Sequence, residues 1–389
     1  MNFSRGLFLI QSIMMMVLLG TVYVWGVFRV EVESLYGISA TLSGLPYMVS
    51  LVSYALAMWI AGKWMSTHRT HFVIAGVILF VGGLWLSSVV DNIYALTLTY
   101  GLYVGTGVGF LYGVPMYIVQ KTFHKNVGLI TGFILMGFGL SNTLMTPVVT
   151  SLLTMNSIQS TFSILGWVAL LVFLLCIWPL FHHIPTQVKA DVKETLSFDL
   201  TGFRSLYVVF VLSLISGLTI IGLSYRIGVV NYGFDEDFVT IAIAFFALFN
   251  GLSRPFFGRL VDRFGFFKVA FFSLISLVTS GLISVFNGGQ FPWLYAISYG
   301  AFWFGLGNWM ALMPLSIQTL FPKTMFSKLY GVLFTAYGLA AIIGTLFSGV
   351  ILDLTSSTWP IYAAIVLANS VNLVLVLWLK KRYQLKIFN

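Results

Sequence analysis

The sequence predicts an all-α polytopic membrane protein with twelve transmembrane helices in two pseudo-symmetric six-helix bundles. Three observations lead there. Of the 389 residues, 59% are apolar and only 8% are charged, about a third of the charged share of a soluble domain. The few charges cut the chain into long uncharged windows of membrane-spanning length. The basic residues gather on alternate connections between those windows. A mean hydropathy of +0.97 agrees. A soluble enzyme, a disulfide-stapled secreted module and a disordered chain are excluded together. The single Cys176 can form no internal disulfide and is too few for a zinc or iron–sulfur site.

A spanning helix needs ~20 mostly apolar residues. The windows free of Asp, Glu, Lys and Arg are 6–28, 34–62, 70–90, 92–120, 126–188, 205–225, 238–253, 269–322, 329–352 and 354–379. Span 1 begins like a signal peptide, but it ends in Tyr23, Val24 and Trp25 with no small-residue cleavage site. It therefore reads as retained. Spans 2 to 4 follow one per window. Window 126–188 is long enough for spans 5 and 6, with a polar break at 154–160. Span 7 occupies 205–225. Window 238–253 is too short to cross alone, so span 8 must run through Arg254 to about Phe257. Arg254 is thus the only charge the counting forces into a helix. Window 269–322 holds spans 9 and 10, broken at 287–292, and spans 11 and 12 complete the set.

With the N-terminus inside, 17 of the 20 Lys and Arg residues fall on the inner side and seven of the 11 acids on the outer side. Arg29 and Arg226 are the two outer bases. Cytoplasmic loops carry the Lys/Arg excess, so both termini are expected in the cytoplasm. The formal charge of +9 is then a topology signal, and no nucleic-acid partner is expected.

The most polar stretch lies near the midpoint and carries Lys189, Asp191, Lys193, Glu194 and Asp199. It divides the chain into an N-terminal six-helix bundle at 1–183, a cytosolic linker at 184–203 and a C-terminal six-helix bundle at 204–389. An internal repeat supports the division. Gly62-Lys63 after span 2 parallels Gly258-Arg259 after span 8, and Gly139-Leu140 in span 5 parallels Gly338-Leu339 in span 11. The loop after span 8 contains Gly258, Asp262, Arg263, Gly265 and Lys268. This spacing resembles the G-x-x-x-D-R-x-G-x-x-[KR] signature of the major facilitator superfamily. Its glycine permits close helix contact, its Asp can pair with a base or cap a helix, and its bases face anionic lipid. The loop after span 2 keeps Gly62 and a base but lacks the Asp. Transporters of this type place substrate between the halves at mid-membrane.

Three segments narrow the resemblance: Gly20 to Phe28 in span 1, Phe249 to Gly258 in span 8, and Tyr330 to Leu339 in span 11. With Met136 to Gly139 in span 5, they resemble the oxalate/formate antiporter family of bacterial organic-anion carriers. The Arg254-Pro255-x-x-Gly258 element also resembles span 8 of monocarboxylate porters. The resemblance implies a multi-pass protein of the bacterial inner membrane that carries carboxylates, with Arg254 gripping the anion. Oxalate carriers of that family add a Lys in span 11. Tyr337 stands there in this chain, which favours a monocarboxylate such as lactate, pyruvate or formate over a dianion.

An arginine at a helix centre costs ~2.5–3.5 kcal/mol to insert, which calls for a partner or a function. Its planar fork suits a carboxylate, although its place near the inner end also allows it to snorkel to headgroups. Asn250 lies one turn away on the same face, where it can touch substrate, hold the guanidinium or bond to another helix. By family analogy Tyr23, Tyr112 and Tyr337 line the central cavity, with Trp303 and Asn308 as further substrate candidates; packing is the alternative for each. Arg226 and the five histidines read as interfacial or solvated residues. No ATP-binding motif, metal cluster or nucleophile arrangement is present in the sequence. The chain is expected to be a monomeric secondary carrier without cofactor, not an enzyme, with proton symport and anion exchange both open. Oxalate/formate exchange, another small solute, and anion sensing without transport are the alternatives.

Overall fold

The computed structural model describes residues 3–38, 40–123, 125–182, 199–355 and 357–387, and these are helical throughout apart from short turns. In the N-terminal half the membrane helices are α1 (Arg5–Arg29), α2 (Leu45–Met65), α3 (Thr67–Ser87), α4 (Ile93–Gln120), α5 (Val127–Met155) and α6 (Ile158–His182). In the C-terminal half they are α7 (Leu200–Asn231), α8 (Glu236–Phe264), α9 (Phe266–Asn287), α10 (Pro292–Leu320), α11 (Phe326–Thr355) and α12 (Trp359–Ile387). As the charge count requires, α8 continues through Arg254 and Pro255.

Eleven helices among the described residues have both the length and the hydropathy of a span. The remaining one is α10. At 29 residues it is about 43 Å long, more than the ~30 Å hydrocarbon core. Its tyrosines, tryptophans, serines, glycines and Asn308 lower its hydropathy. Most residues from Ser298 to Ile317 are buried, against α7, α8, α9 and α11. A helix enclosed by protein can carry residues that lipid would penalise.

Local chemistry explains the breaks. Between α5 and α6, the Ser160 N–H donates to Ser157 Oγ at 3.2 Å and so starts the new helix. Between α9 and α10, Gly288 and Gly289 take φ of +49° and +87°, and the Phe291 N–H donates to Asn287 Oδ1 at 2.9 Å. The expected loop between α2 and α3 differs. Helical backbone runs from Leu45 to Ser87, interrupted only at His68, with φ −122° and ψ 26°. No proline or glycine lies between Gly62 and Gly76 to end the helix, so one non-helical residue makes the turn as a kink.

Residues 183–198, most of the stretch read as the linker, lie outside the described residues. Its last part is structured: Asp199 caps α7 by accepting the Gly202 N–H at 3.0 Å. The same carboxylate takes two bonds from Arg382 of α12, at 2.8 and 2.9 Å. Helix α7 therefore starts at Leu200 and not after Phe203. At the opposite end of the bundle, beyond α1, Glu33 accepts from Ser43 Oγ at 2.5 Å and from Arg29 Nε at 3.1 Å. The Ser43 bond, with Arg29 adding to it, holds the Glu33 carboxyl below the usual carboxylate range.

The halves meet along two seams, α2 against α11 and α5 against α8. Glycines bring the backbones together near the end of the bundle that carries both termini. A Cβ at Gly62 would collide with the Ser327 carbonyl, and one at Gly258 with the Gly128 carbonyl. In this conformation the terminal end is closed. Gly258→Leu should hold that end apart. A Ser327→Cys probe on the facing seam should then react faster with a membrane-impermeant maleimide than in the Gly258 parent, the buried native Cys176 giving little background.

Candidate functional site

The site is built around one buried charge. Arg254 is 1% exposed, which excludes snorkelling to headgroups. Its Nη1 donates to the Leu135 carbonyl of α5 at 2.7 Å, and its Nη2 to Asn250 Oδ1 at 3.3 Å. Its Nε has no hydrogen-bond partner among the described residues. Neither ion pair found among those residues includes it: these join Arg29 to Glu33 and Arg382 to Asp199. The guanidinium lies 6.0 Å from the Phe138 ring centroid, close enough for a modest cation–π attraction. Glycines make the space. A Cβ at Gly139 would come within 3.0 Å of Arg254 Cζ and Nε, and one at Gly132 would collide with the Arg254 carbonyl.

Asn250 fills two of its anticipated roles at once. While its Oδ1 holds the guanidinium, its Nδ2 donates to the Trp303 carbonyl of α10 at 2.9 Å. Gly307 permits this approach, because any Cβ there would collide with the Asn250 carbonyl. Trp303 then donates through Nε1 to Ser224 Oγ of α7 at 3.0 Å. Asn250 and Trp303 thus fix the rotamer of Arg254 through a chain of bonds across three helices.

On the N-terminal side of the seam stands an aromatic cluster. The hydroxyls of Tyr23 and Tyr337 meet at 2.7 Å across the two halves. Tyr112 packs edge-on to Phe138, with centroids 5.1 Å apart. Phe138 links this cluster to the charge: the Tyr23 ring lies 5.1 Å from it, as does that of Tyr112, and the Arg254 guanidinium 6.0 Å. The sequence-chosen Arg254, Asn250, Tyr23, Tyr112 and Tyr337 are therefore brought together, and Trp303 joins them through Asn250. Asn308 is not among them: its amide donates to Ser273 of α9. Sequence reasoning missed Tyr54 of α2, 4.8 Å centroid to centroid from Phe334 of α11, and Tyr330. One signal was available for Tyr54: it lies four residues before Met58 and eight before Gly62, on the face that meets α11.

The comparisons agree with the twelve-helix fold around this site. The family profile described as Major Facilitator Superfamily matches residues 7–319 and 205–387. The chain belongs to the major facilitator superfamily. Among curated relatives it is similar to an oxalate:formate antiporter of Oxalobacter formigenes, 25% identical over 88% of this chain and 83% of the relative. A short stretch of 59 residues, 15% of this chain and 12% of the relative, is 44% identical to monocarboxylate transporter 9 of Gallus gallus. Among solved structures, the major facilitator transporter FucP in its outward conformation superposes with a TM-score of 0.74 at 14% identity, covering 95% of this chain and 98% of that one.

This major facilitator protein is accordingly a multi-pass membrane transporter and not an enzyme, and its signature loop after α8 has a visible task. Asp262 accepts the Gly128 N–H at 2.8 Å and the Leu129 N–H at 2.9 Å. These are orphan donors of the first turn of α5, so a carboxylate of the second half caps a helix of the first. The helix dipole adds to the attraction. Beside it, Arg259 donates to Asn126 Oδ1 at 3.1 Å. Gly258 supplies the close approach, and Gly265, at φ +81°, turns the chain into α9. Arg263 is exposed against Phe264, 5.0 Å from its ring centroid, and Lys268 is exposed. Asp262→Ala should loosen the closed terminal end by roughly 1 kcal/mol, about a fivefold population shift. Electron–electron distance measurements between spin labels on α5 and α8 would read it, with Arg263→Ala and Lys268→Ala unchanged as controls.

Proposed function

We propose that the protein carries small monocarboxylate anions by alternating access, and that Arg254 is the anion-binding residue. The supporting observation is the guanidinium itself: buried between the halves, with no carboxylate partner among the described residues and with Nε unpaired. Such a charge is stabilised by an anion that arrives, and the fork of an arginine matches a carboxylate in two bonds. Asn250 and Trp303 orient it, while Tyr23, Tyr112 and Tyr337 provide neutral hydroxyls for the remaining oxygens. A monoanion leaves the site neutral, whereas a dianion leaves a buried negative charge. Tyr337, where oxalate carriers of the resembling family place a lysine, supports the monoanion.

The coupling mode follows from the same charge. No acid among the described residues of the cluster can take a proton to compensate Arg254, so return of the empty site would move an uncompensated cation through the bundle. One-for-one anion exchange avoids that step. In this reading the carrier works as a monomer in the bacterial inner membrane, with both termini on the Lys/Arg-rich cytoplasmic side. The two six-helix halves rock about the site, joined by the polar stretch that ends at Asp199, the cap of α7. Nucleic acid and cofactor have no part in it. Similarity to an oxalate:formate antiporter makes oxalate/formate exchange the second reading.

Counterflow in proteoliposomes, with labelled formate, lactate, pyruvate and oxalate, tests both. Uptake of a monocarboxylate that requires an internal anion is expected, as is a loss of more than about 100-fold with Arg254→Ala, consistent with removal of a buried charge-assisted contact. Near-normal uptake by that variant would overturn the site. Tyr337→Lys should move preference toward oxalate, and an unchanged preference would remove the argument against dianions.

A further inference from the structure

Three buried hydroxyls near Arg254 have no hydrogen-bond partner among the described residues: those of Tyr54, Tyr112 and Tyr330. None of the three residues is more than 1% exposed. The Tyr112 hydroxyl faces those of Tyr54 and Tyr330 closely enough for weak mutual hydrogen bonding, yet no pair reaches full hydrogen-bond geometry. Such weak bonds recover only part of the ~1–3 kcal/mol that a buried donor left unmade costs. Phenylalanine would give the same rings without that cost, as Phe138 and Phe334 in the same cluster do.

Their placement is directional. Tyr54 of α2 and Tyr112 of α4 belong to the first half, and Tyr330 of α11 to the second. Tyr330 also lines a small cavity with Met58, Gly62, Met65, Gly113 and Ser327, of which Gly62 and Ser327 meet across the closed terminal end. The bonded pair Tyr23–Tyr337 is separate, since Tyr337 is two helical turns further along α11 from that end than Tyr330.

We infer that Tyr54 and Tyr330 join Tyr112, which the Arg254 site shares, in a second carboxylate subsite on the path from Arg254 to the closed terminal end. This rests on the reading of Arg254 as the anion-binding residue. Hydrogen bonds from neutral donors are about half as strong as charge-assisted ones, so the triad holds a carboxylate oxygen without trapping it. Because its members come from both halves, the subsite is complete only while α2 and α11 are in contact. The triad draws the anion off Arg254 before the seam parts, and separation of the seam then withdraws the Tyr330 hydroxyl and leaves the anion to water on that side. Arg254 therefore sets affinity, and the triad sets the rate at which bound anion leaves.

The test is counterflow of labelled formate, lactate and pyruvate by the full chain carrying Tyr54→Phe or Tyr330→Phe, each of which removes one oxygen and keeps the ring. The maximal rate should fall about tenfold, the worth of roughly one hydrogen bond, while the half-saturating concentration changes less than about threefold. Tyr100→Phe serves as control, since that ring packs on Trp25 and Phe162 instead, and its rate should not change. Unaltered maximal rates in both triad variants would overturn the subsite, as would a loss of affinity matching that of Arg254→Lys. If Arg254→Ala abolishes uptake while both variants stay normal, only the subsite fails. If Arg254→Ala transports normally, the reading of Arg254 fails and the subsite with it.

Discussion

Holding one guanidinium inside a membrane bundle imposes conditions on every helix around it. The charge cannot be left bare, so Arg254 draws a backbone carbonyl from α5 and an amide oxygen from its own helix. Those acceptors are neutral, and they relieve part of the desolvation without cancelling the charge. An acid at position 250 would have neutralised it and removed the reason for an anion to enter. Asn250 keeps the geometry and preserves the charge, which makes the site receptive.

The packing near that charge follows from it. An arginine side chain between two helices needs room, which Gly139 provides, while Gly132 and Gly251 let α5 and α8 approach on either side of it. The bond from Asn250 to the Trp303 carbonyl requires α10 to approach α8 closely, which Gly307 allows. Close backbone contact without side-chain interlock also suits a seam that must part. Helices joined by small residues separate with little loss beyond van der Waals contact, whereas an interdigitated leucine interface would not. Asp262 adds a directional bond to one seam, where its carboxylate replaces the cap that α5 lacks. The position that corresponds in sequence on the other seam is Ser66, which carries no carboxylate.

Several parts of the site were legible because their signal is carried by single residues. Arg254 declared itself by charge alone. Gly258 and Asp262 did so by spacing, and both take the roles that their chemistry suggested. Tyr330 was not legible, since one tyrosine among 18 in an apolar chain carries no mark of the helix it faces, and Tyr54 carried only its helical spacing to Gly62, which does not say what that face meets. Asn308 shows the opposite error. An asparagine in a span needs a partner, but the sequence does not say whether that partner is Ser273 on α9 or a substrate between the halves. The α2–α3 connection was also misread, because basic and polar residues suit a loop and an exposed interfacial helix equally well.

The sequence by itself determined the number of membrane crossings, the side that bears the positive charge, and the one cation committed to the membrane interior. Each is a local matter of transfer free energy, decided residue by residue as the chain leaves water. Only the tertiary structure decided what that cation touches, which tyrosines share its space, and that a carboxylate in the second half caps a helix in the first. Those are contacts between residues more than 100 positions apart in the chain. They depend on which faces the helices present to one another once all are in the bilayer, and hydropathy is blind to facing.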